Sequence, residues 1–360
     1  MSEQNVNDAA STNGSEDKEF VVVERPTARV VLPTDVGDDT DSEEEVIDGE
    51  ELESDVDPLA DFPDDTEELE LVHSRISSLN HLRLERFAKH LKKLCLRQNQ
   101  ISELDPATFS LLTELEELDL YDNKVKHVGQ AIDKLSKLSV LDLSFNLIRQ
   151  VPDGLSSLSS LHTVFFVQNK ISKISGLDSV GRTLRSLELG GNRIRFIENL
   201  DSLVNLEELW LGKNKITKLQ NLSSLKSLKI LSIQSNRIKK IEGLDGLSNL
   251  QELYLSHNGV ERLEGLDNNP QLRTLDVGNN FIPEIENVSH LTSLEELWLN
   301  NNKIDSLQAL EPQLKKTETL ETIYLEGNPC QQTERAAYRR KIIIALPQVT
   351  QIDATFAKAL

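Results

Sequence analysis

The side chains of this 360-residue chain that could act on another molecule fall into two groups, separated by their spacing. The first is the set that enzymes draw on. Seven histidines, at 73, 81, 90, 127, 162, 257 and 290, are scattered without the spacing of metal ligands. Two cysteines, Cys95 and Cys330, are too few for a disulfide framework, and no C-x-x-C is present for zinc or redox work. A P-loop, G-x-G-x-x-G, H-E-x-x-H and G-x-S-x-G are all missing. No nucleophile, base and stabiliser come together, so the expectation is a non-enzyme without metal or cofactor. The second group is aromatic and acidic: Trp210, Tyr254, Trp298 and Tyr324 interleaved with Asp119, Asp142, Glu188, Asp276 and Glu296. Its chemistry is recognition. Large rings anchor a partner and carboxylates orient its basic groups.

What must position these side chains is a repeat. Written L-x-x-L-x-L-x-x-N-x-I-x-x-I/L, its first Leu falls eleven times from Leu91 to Leu320, at intervals of 22 to 26 residues. Eight residues on, Asn is present every time, from Asn99 to Asn328. A degenerate unit at 69–79, with Ser74 in the Asn place, brings the total to about twelve. L-x-L is a short strand whose Leu side chains point inward and whose middle residue points out. The Asn turns the chain and satisfies backbone groups that the turn leaves unpaired, so stacked copies form an internal ladder. A unit of this length leaves room for only a tight turn or a 3-10 piece on the far side. One coil cannot bury its own face, and its neighbours complete the core. The expected architecture is an α/β solenoid: a leucine-rich-repeat arc of about twelve repeats with a parallel concave sheet, a short 3-10 or irregular convex side and a helical C-terminal cap. Twelve strands spaced ~4.8 Å apart make a ribbon of about 55 Å.

The outward row of that sheet reads Cys95, Asp119, Asp142, Phe165, Glu188, Trp210, Ser232, Tyr254, Asp276, Trp298 and Tyr324. Two residues earlier on each strand lie Glu117, Glu208, Glu252 and Glu296, among others. Both tryptophans of the chain are in the row. Large rings facing solvent on a strand row have no folding rationale and mark a binding site. The competing structural reading is that they cover one another across strands and stiffen the sheet.

Charge is divided along the chain. Residues 1–65 carry 22 Asp and Glu against 3 Lys and Arg, a net of −19, while the remainder of the −21 total is only −2. An acidic run such as 35–57 repels itself and cannot offset its ordering entropy, so 1–65 is expected to be a disordered tail. Within it, 20–23 and 30–32 are more apolar, and Thr40, Ser42 and Ser54 suit an acid-directed kinase. The repeats occupy 66–329 and a cap 330–360. In the cap, 334–346 has the pattern of an amphipathic helix ended by Pro347. Its Tyr338-Arg-Arg-Lys run reads either as a solvated helix face or as a nuclear import signal. At the other end, 79–93 has helical spacing. Net acidity argues against nucleic acid, no apolar run is long enough to span a membrane, and the polar N-terminus lacks a signal-peptide core. The sequons at Asn13, Asn221 and Asn287 are then chance matches.

The 22-residue unit with I-x-x-I-E-x-L coils resembles the leucine-rich-repeat regulatory subunits of type-1 protein phosphatase. LCLRQNQI (94–101), LDLYDNKVK (118–126), LELGGNRIRFIENL (187–200), LYLSHNGVERLEGL (253–266) and the end of the chain, YRRK with ALPQVTQIDATF (338–341, 345–356), carry the likeness. The resemblance implies a non-catalytic subunit that binds the phosphatase catalytic subunit through its concave face, in the nucleus and also the cytoplasm, in mitosis and the cell cycle. A further phosphatase inhibitor subunit is a second implied partner. The implied contacts are Asp142, Phe165, Glu188, Trp210, Asp276, Glu296, Trp298 and Tyr324, to which the row adds Asp119 and Tyr254. The alternative is a scaffold of the same fold for a spliceosomal-type or cytoskeletal partner.

Overall fold

A computed structural model of the chain describes residues 59–357. The acidic run, Thr40, Ser42, Ser54, Asn13 and the apolar patches at 20–23 and 30–32 lie outside the described residues.

Each L-x-L contributes one three-residue strand. They are β1 (Glu68–Glu70), β2 (Lys93–Cys95), β3 (Glu117–Asp119), β4 (Val140–Asp142), β5 (Thr163–Phe165), β6 (Ser186–Glu188), β7 (Glu208–Trp210), β8 (Ile230–Ser232), β9 (Glu252–Tyr254), β10 (Thr274–Asp276), β11 (Glu296–Trp298) and β12 (Thr322–Tyr324). Each is parallel to the next, in sequence order. Registers never slip: Leu209 pairs with Leu231, Leu231 with Leu253 and Leu253 with Leu275. The constancy follows from the alternation, because a one-residue slip would turn every Leu out to solvent. The inward leucines and the Ile and Leu of the returning arm are buried from Leu69 to Ile352 as one continuous core.

The asparagine ladder is complete. Each of the eleven Asn accepts the amide of the residue two past the preceding ladder position, as Asn146 Oδ1 does from Val125 N–H at 2.9 Å, and for Asn99 that position is Ser74 and the donor Ile76. Its Nδ2 donates back to the strand-end carbonyl of the preceding coil, as from Asn146 to Leu120 O at 2.9 Å. Polar groups inside an apolar column are thereby paired, which is the condition for burying them. The residue before each ladder Asn is left-handed, from Gln98, Asp122 and Phe145 to Asn301 and Gly327. A second left-handed turn on the convex arm falls at Gly176, Asn199, Asn221, Gly243, Gly265 and Asn287, the two residue types that enter this region most readily. Asn221 and Asn287 also donate their amides to Ile197 O and Leu263 O of the coil before, so two of the sequon asparagines serve the turn.

Among the described residues helix is short. The 79–93 pattern yields only a 3-10 turn, Leu84–Phe87, because Leu84, Phe87 and Leu91 are all used to fill the first coils and the strand must follow at once. Asp105 caps α1 (Pro106–Phe109) with bonds to Ala107 and Thr108 amides, and α2 (Leu310–Leu314) fills the 26-residue coil. The C-terminal cap starts earlier than its pattern suggests, with α3 (Pro329–Glu334), a 3-10 turn at Arg335–Ala337 and α4 (Tyr338–Ala345). Pro329 at the first helical position favours that early start. β13 (Gln351–Ile352) then adds parallel to β12, and β14 (Thr355–Phe356) folds back antiparallel to close the edge. The Tyr338-Arg-Arg-Lys run works in this cap. Tyr338 is buried and its hydroxyl donates to Asp353 at 3.1 Å, while Arg339 donates to Ile352 O and Phe356 O. At the N-terminal side, Leu59 is buried and Arg86 pairs with Asp64 at 2.7 Å.

Candidate protein-binding face

The first and third residues of every strand point away from the core onto the concave surface. Over β2 to β12 these outward positions hold eight carboxylates and one lysine, so the face is anionic and suits a basic partner. All the expected contact residues but Glu296, which lies in the flanking row, fall in one line along it. Asp119 is in register with Asp142, Asp142 with Phe165, Phe165 with Glu188 and Glu188 with Trp210. The line continues through Ser232 to Tyr254, then Asp276, Trp298 and Tyr324.

The rings collect at the C-terminal half. Trp210 and Tyr254 sit two strands apart and lie nearly parallel, centroids 6.5 Å apart and planes 18° apart. The small side chain between them, Ser232, lets them lean together and is left only 3% exposed. Trp298 and Tyr324, on adjacent strands, are tilted at 5.5 Å. Asp276 lies between Tyr254 and Trp298 and is only 5% exposed. The rings therefore make one ridge across β7 to β12. They do cover one another, and each still keeps part of its surface in solvent.

The acids of the row take two forms. Asp119, Asp142 and Asp276 each accept the amide of the residue two positions on, from Tyr121, Ser144 and Gly278 at 2.8 to 3.0 Å. Their carboxylates hold the turn that leaves the strand. Burial raises all three above the ordinary aspartate range, against the hydrogen bonds and, for Asp119, against Arg97 at 3.1 Å. The glutamates on the flanking row instead orient the rings. Glu252 accepts from Tyr254 Oη at 2.8 Å, and Glu296 from Trp298 Nε1 at 3.1 Å. Burial, then Glu252, holds the Tyr254 phenol protonated. Glu208, the equivalent residue beside Trp210, accepts from Ser186 Oγ at 3.0 Å. Trp210 Nε1 is buried with no acceptor among the described residues. An orphaned indole N–H in a binding row calls for a partner's oxygen.

A further cluster was not legible in the row. Arg97 lies over Tyr121 at 4.2 Å, and Tyr121 packs on Phe145 at 4.8 Å. Phe145 is 41% exposed and occupies the left-handed position before Asn146. Its one signal in the sequence is an aromatic where most repeats place a polar residue or Gly. Cys95 is half-buried, and burial raises its thiol, which disfavours the thiolate. Among the described residues no group of three His, Cys, Asp or Glu could hold a metal ion, and no helix is long and apolar enough to cross a membrane.

Known proteins share the repeat fold. A family model described as "Leucine rich repeat" matches residues 66–125 and 89–148, and one described as "Leucine Rich repeats (2 copies)" matches in five overlapping stretches from 182–224 to 270–312. Among curated proteins, the chain is 43% identical over 175 residues to an Arabidopsis thaliana protein named "Protein phosphatase 1 regulatory inhibitor subunit PPP1R7 homolog", covering 48% of this chain and 52% of that one. It is 48% identical over 77 residues to "Protein phosphatase 1 regulatory subunit SDS22" of Saccharomyces cerevisiae, covering 21% and 22%. The matches thus span about half of the plant relative and about a fifth of the yeast one. Among solved structures, a leucine-rich-repeat protein of Leptospira interrogans superposes with a TM-score of 0.64 at 26% identity, over 75% of this chain and 74% of that one. An internalin of Listeria monocytogenes superposes with a TM-score of 0.63 at 23% identity, over 80% and 87%, and shares the fold alone.

Proposed function

This chain belongs to the leucine-rich-repeat proteins, and from that premise we propose that it is a non-catalytic regulatory subunit of type-1 protein phosphatase. It binds the catalytic subunit through the concave face and controls its activity, assembly or localisation, with its work in the nucleus and in mitosis. The relatives' names supply the partner. The observation that carries the surface is the ridge of Trp210, Tyr254, Trp298 and Tyr324 set among carboxylates, with an indole N–H in need of an acceptor. Rings of this kind, half-buried and partly fixed by Glu252 and Glu296, lose little entropy on binding and supply most of an interface's energy. The carboxylates around them pair with Arg or Lys on the partner and exclude acidic surfaces.

The test is size-exclusion chromatography of the full chain with the phosphatase catalytic subunit. Wild type co-elutes, and Trp298→Ala with Glu296→Ala does not, since losing a central anchor costs ~2 kcal/mol or more. Co-elution of both proteins would move the interface off this part of the row. Failure of both would remove the phosphatase as partner and return the spliceosomal-type and cytoskeletal readings.

A further inference from the structure

The rim where the chain leaves the sheet carries the charge opposite to the concave face. In six consecutive coils, from Asn123 to Asn236, the six residues after the ladder Asn hold twelve Lys or Arg against two Glu. The flanking stretches 100–105, 259–264 and 281–286 reverse this, with six acids against one Arg. Because the coils stack in register, these residues form rows. Lys170, Arg193, Lys215 and Arg237 follow one another directly after the ladder, and Lys173, Phe196, Lys218 and Lys240 make a second row three residues further on. Lys218 and Lys240 reach Glu242 and Glu264 at 3.6 and 3.8 Å. Arg149, Lys170, Lys173, Arg193 and Arg195 have no ion-pair partner among the described residues, and Arg149, Lys170, Lys173 and Arg193 line an open groove. Beside this groove Phe196 is 59% exposed, flanked on its row by two lysines.

We propose that this rim is a second docking surface, for an extended acidic protein segment that carries an apolar side chain to cover Phe196. Like charges held in a row without counter-charges repel one another, and an acidic ligand relieves that repulsion. The Phe supplies what charge alone does not, a fixed register for the ligand. Six coils at ~4.8 Å spacing make a strip of about 24 Å, which an extended peptide crosses in about seven or eight residues at ~3.3 Å each. Nucleic acid fits the strip less well. It would run past both ends into carboxylates, on a chain whose net charge is −21. The two surfaces sort partners by sign: the concave face takes a basic surface and the rim takes an acidic segment, and both can be filled at once.

The probe is a fluorescein-labelled peptide of about eight residues, Glu throughout with one central Phe, titrated into the full chain at physiological ionic strength and read by anisotropy. Wild type binds it. Lys173→Glu with Arg195→Glu weakens binding at least about tenfold, and Phe196→Ala weakens it about threefold or more. Lys303→Glu, outside the strip, and Trp298→Ala, on the concave face, leave it unchanged, so this result is independent of the phosphatase reading. All the substituted rim residues are exposed, and unchanged urea midpoints verify that the variants are folded. Absence of binding, equal binding of a peptide with Gln in place of Glu, or no effect of the charge reversal would overturn the proposal. Tighter binding of an oligothymidylate of the same length would assign the rim to nucleic acid instead.

Discussion

Replacing Asn280 by Ala removes one rung of the ladder, and the structure sets the size of the loss. Asn280 is 3% exposed. Its Oδ1 accepts Val260 N–H at 2.9 Å, and its Nδ2 lies 3.0 to 3.1 Å from the carbonyls of Leu255, Val277 and Gly278. Those carbonyls each keep a second donor: Asn258 on Leu255, Asn302 on Val277 and the His257 amide on Gly278. Val260 N–H keeps none. The expected cost is therefore one orphaned buried amide, ~1–3 kcal/mol, plus weakened bonding at the carbonyls, for a total of about 2–4 kcal/mol. Asn280→Asp separates the two contributions. Its carboxylate still accepts from Val260 but faces the carbonyl oxygens as a buried charge, so at neutral pH it is at least as destabilising as Ala and recovers as acid restores a donor. Urea unfolding measures both variants, and hydrogen exchange at Val260 locates the defect. In a linear array the break also uncouples the coils on either side, which broadens the transition. A loss under ~1 kcal/mol with an unchanged slope, or wild-type stability of the Asp variant at neutral pH, would refute the account of the ladder.

Trp210→Phe keeps the ring over Ser232 and deletes the orphaned N–H. The free protein is expected to be no less stable, while affinity for the catalytic subunit falls about tenfold if the partner supplies the acceptor; equal affinity in a titration contradicts that role. Burial raises the Asp276 carboxyl, so the native state holds its proton to higher pH than the unfolded chain does. Its contribution to stability is thus full below the ordinary Asp range of ~4 and is lost as pH rises through the raised value. Asp276→Asn should be the more stable protein at neutral pH, with the gap closing in acid; a gap independent of pH in urea titrations would contradict this. Asp353 accepts the amides of Leu325 and Glu326 at 2.8 and 2.9 Å and the Tyr338 hydroxyl. Asp353→Ala should cost about 2–4 kcal/mol, seen as faster hydrogen exchange in β12 and β13 with β3 to β8 unaffected. Uniform acceleration along the chain would show that the cap holds more than its own end.

Periodicity is legible in one dimension, and it gave the strands, the inward leucines and the ladder, because each unit repeats the same local problem. What depends on stacked neighbours is not legible in one unit. The left-handed residue before each Asn is Gln98, Asp122, Phe145 or Lys213 as readily as Gly, since the ladder bonds on either side hold it there. Helical spacing at 79–93 gives way to a 3-10 turn because the next strand must begin within the coil. In the binding row, identity and outward direction were readable, but the burial of Asp276, in register between Tyr254 and Trp298, was not. Nor was it readable that the Trp210 indole N–H has no acceptor among the described residues, while the equivalent Trp298 is bonded to Glu296. Summed charge also conceals segregation: a net of only −2 over residues 66–360 includes an acidic concave face beside a basic rim.

Site-specific photo-crosslinking to the phosphatase catalytic subunit tests directly whether the concave face is the interface. A benzophenone amino acid replaces Thr274, which lies on the concave face between Glu252 and Glu296, or Ser223, exposed on the convex arm. With the interface on the concave face, a covalent adduct with the catalytic subunit forms from position 274 and none from position 223. An adduct from 223 alone would contradict it.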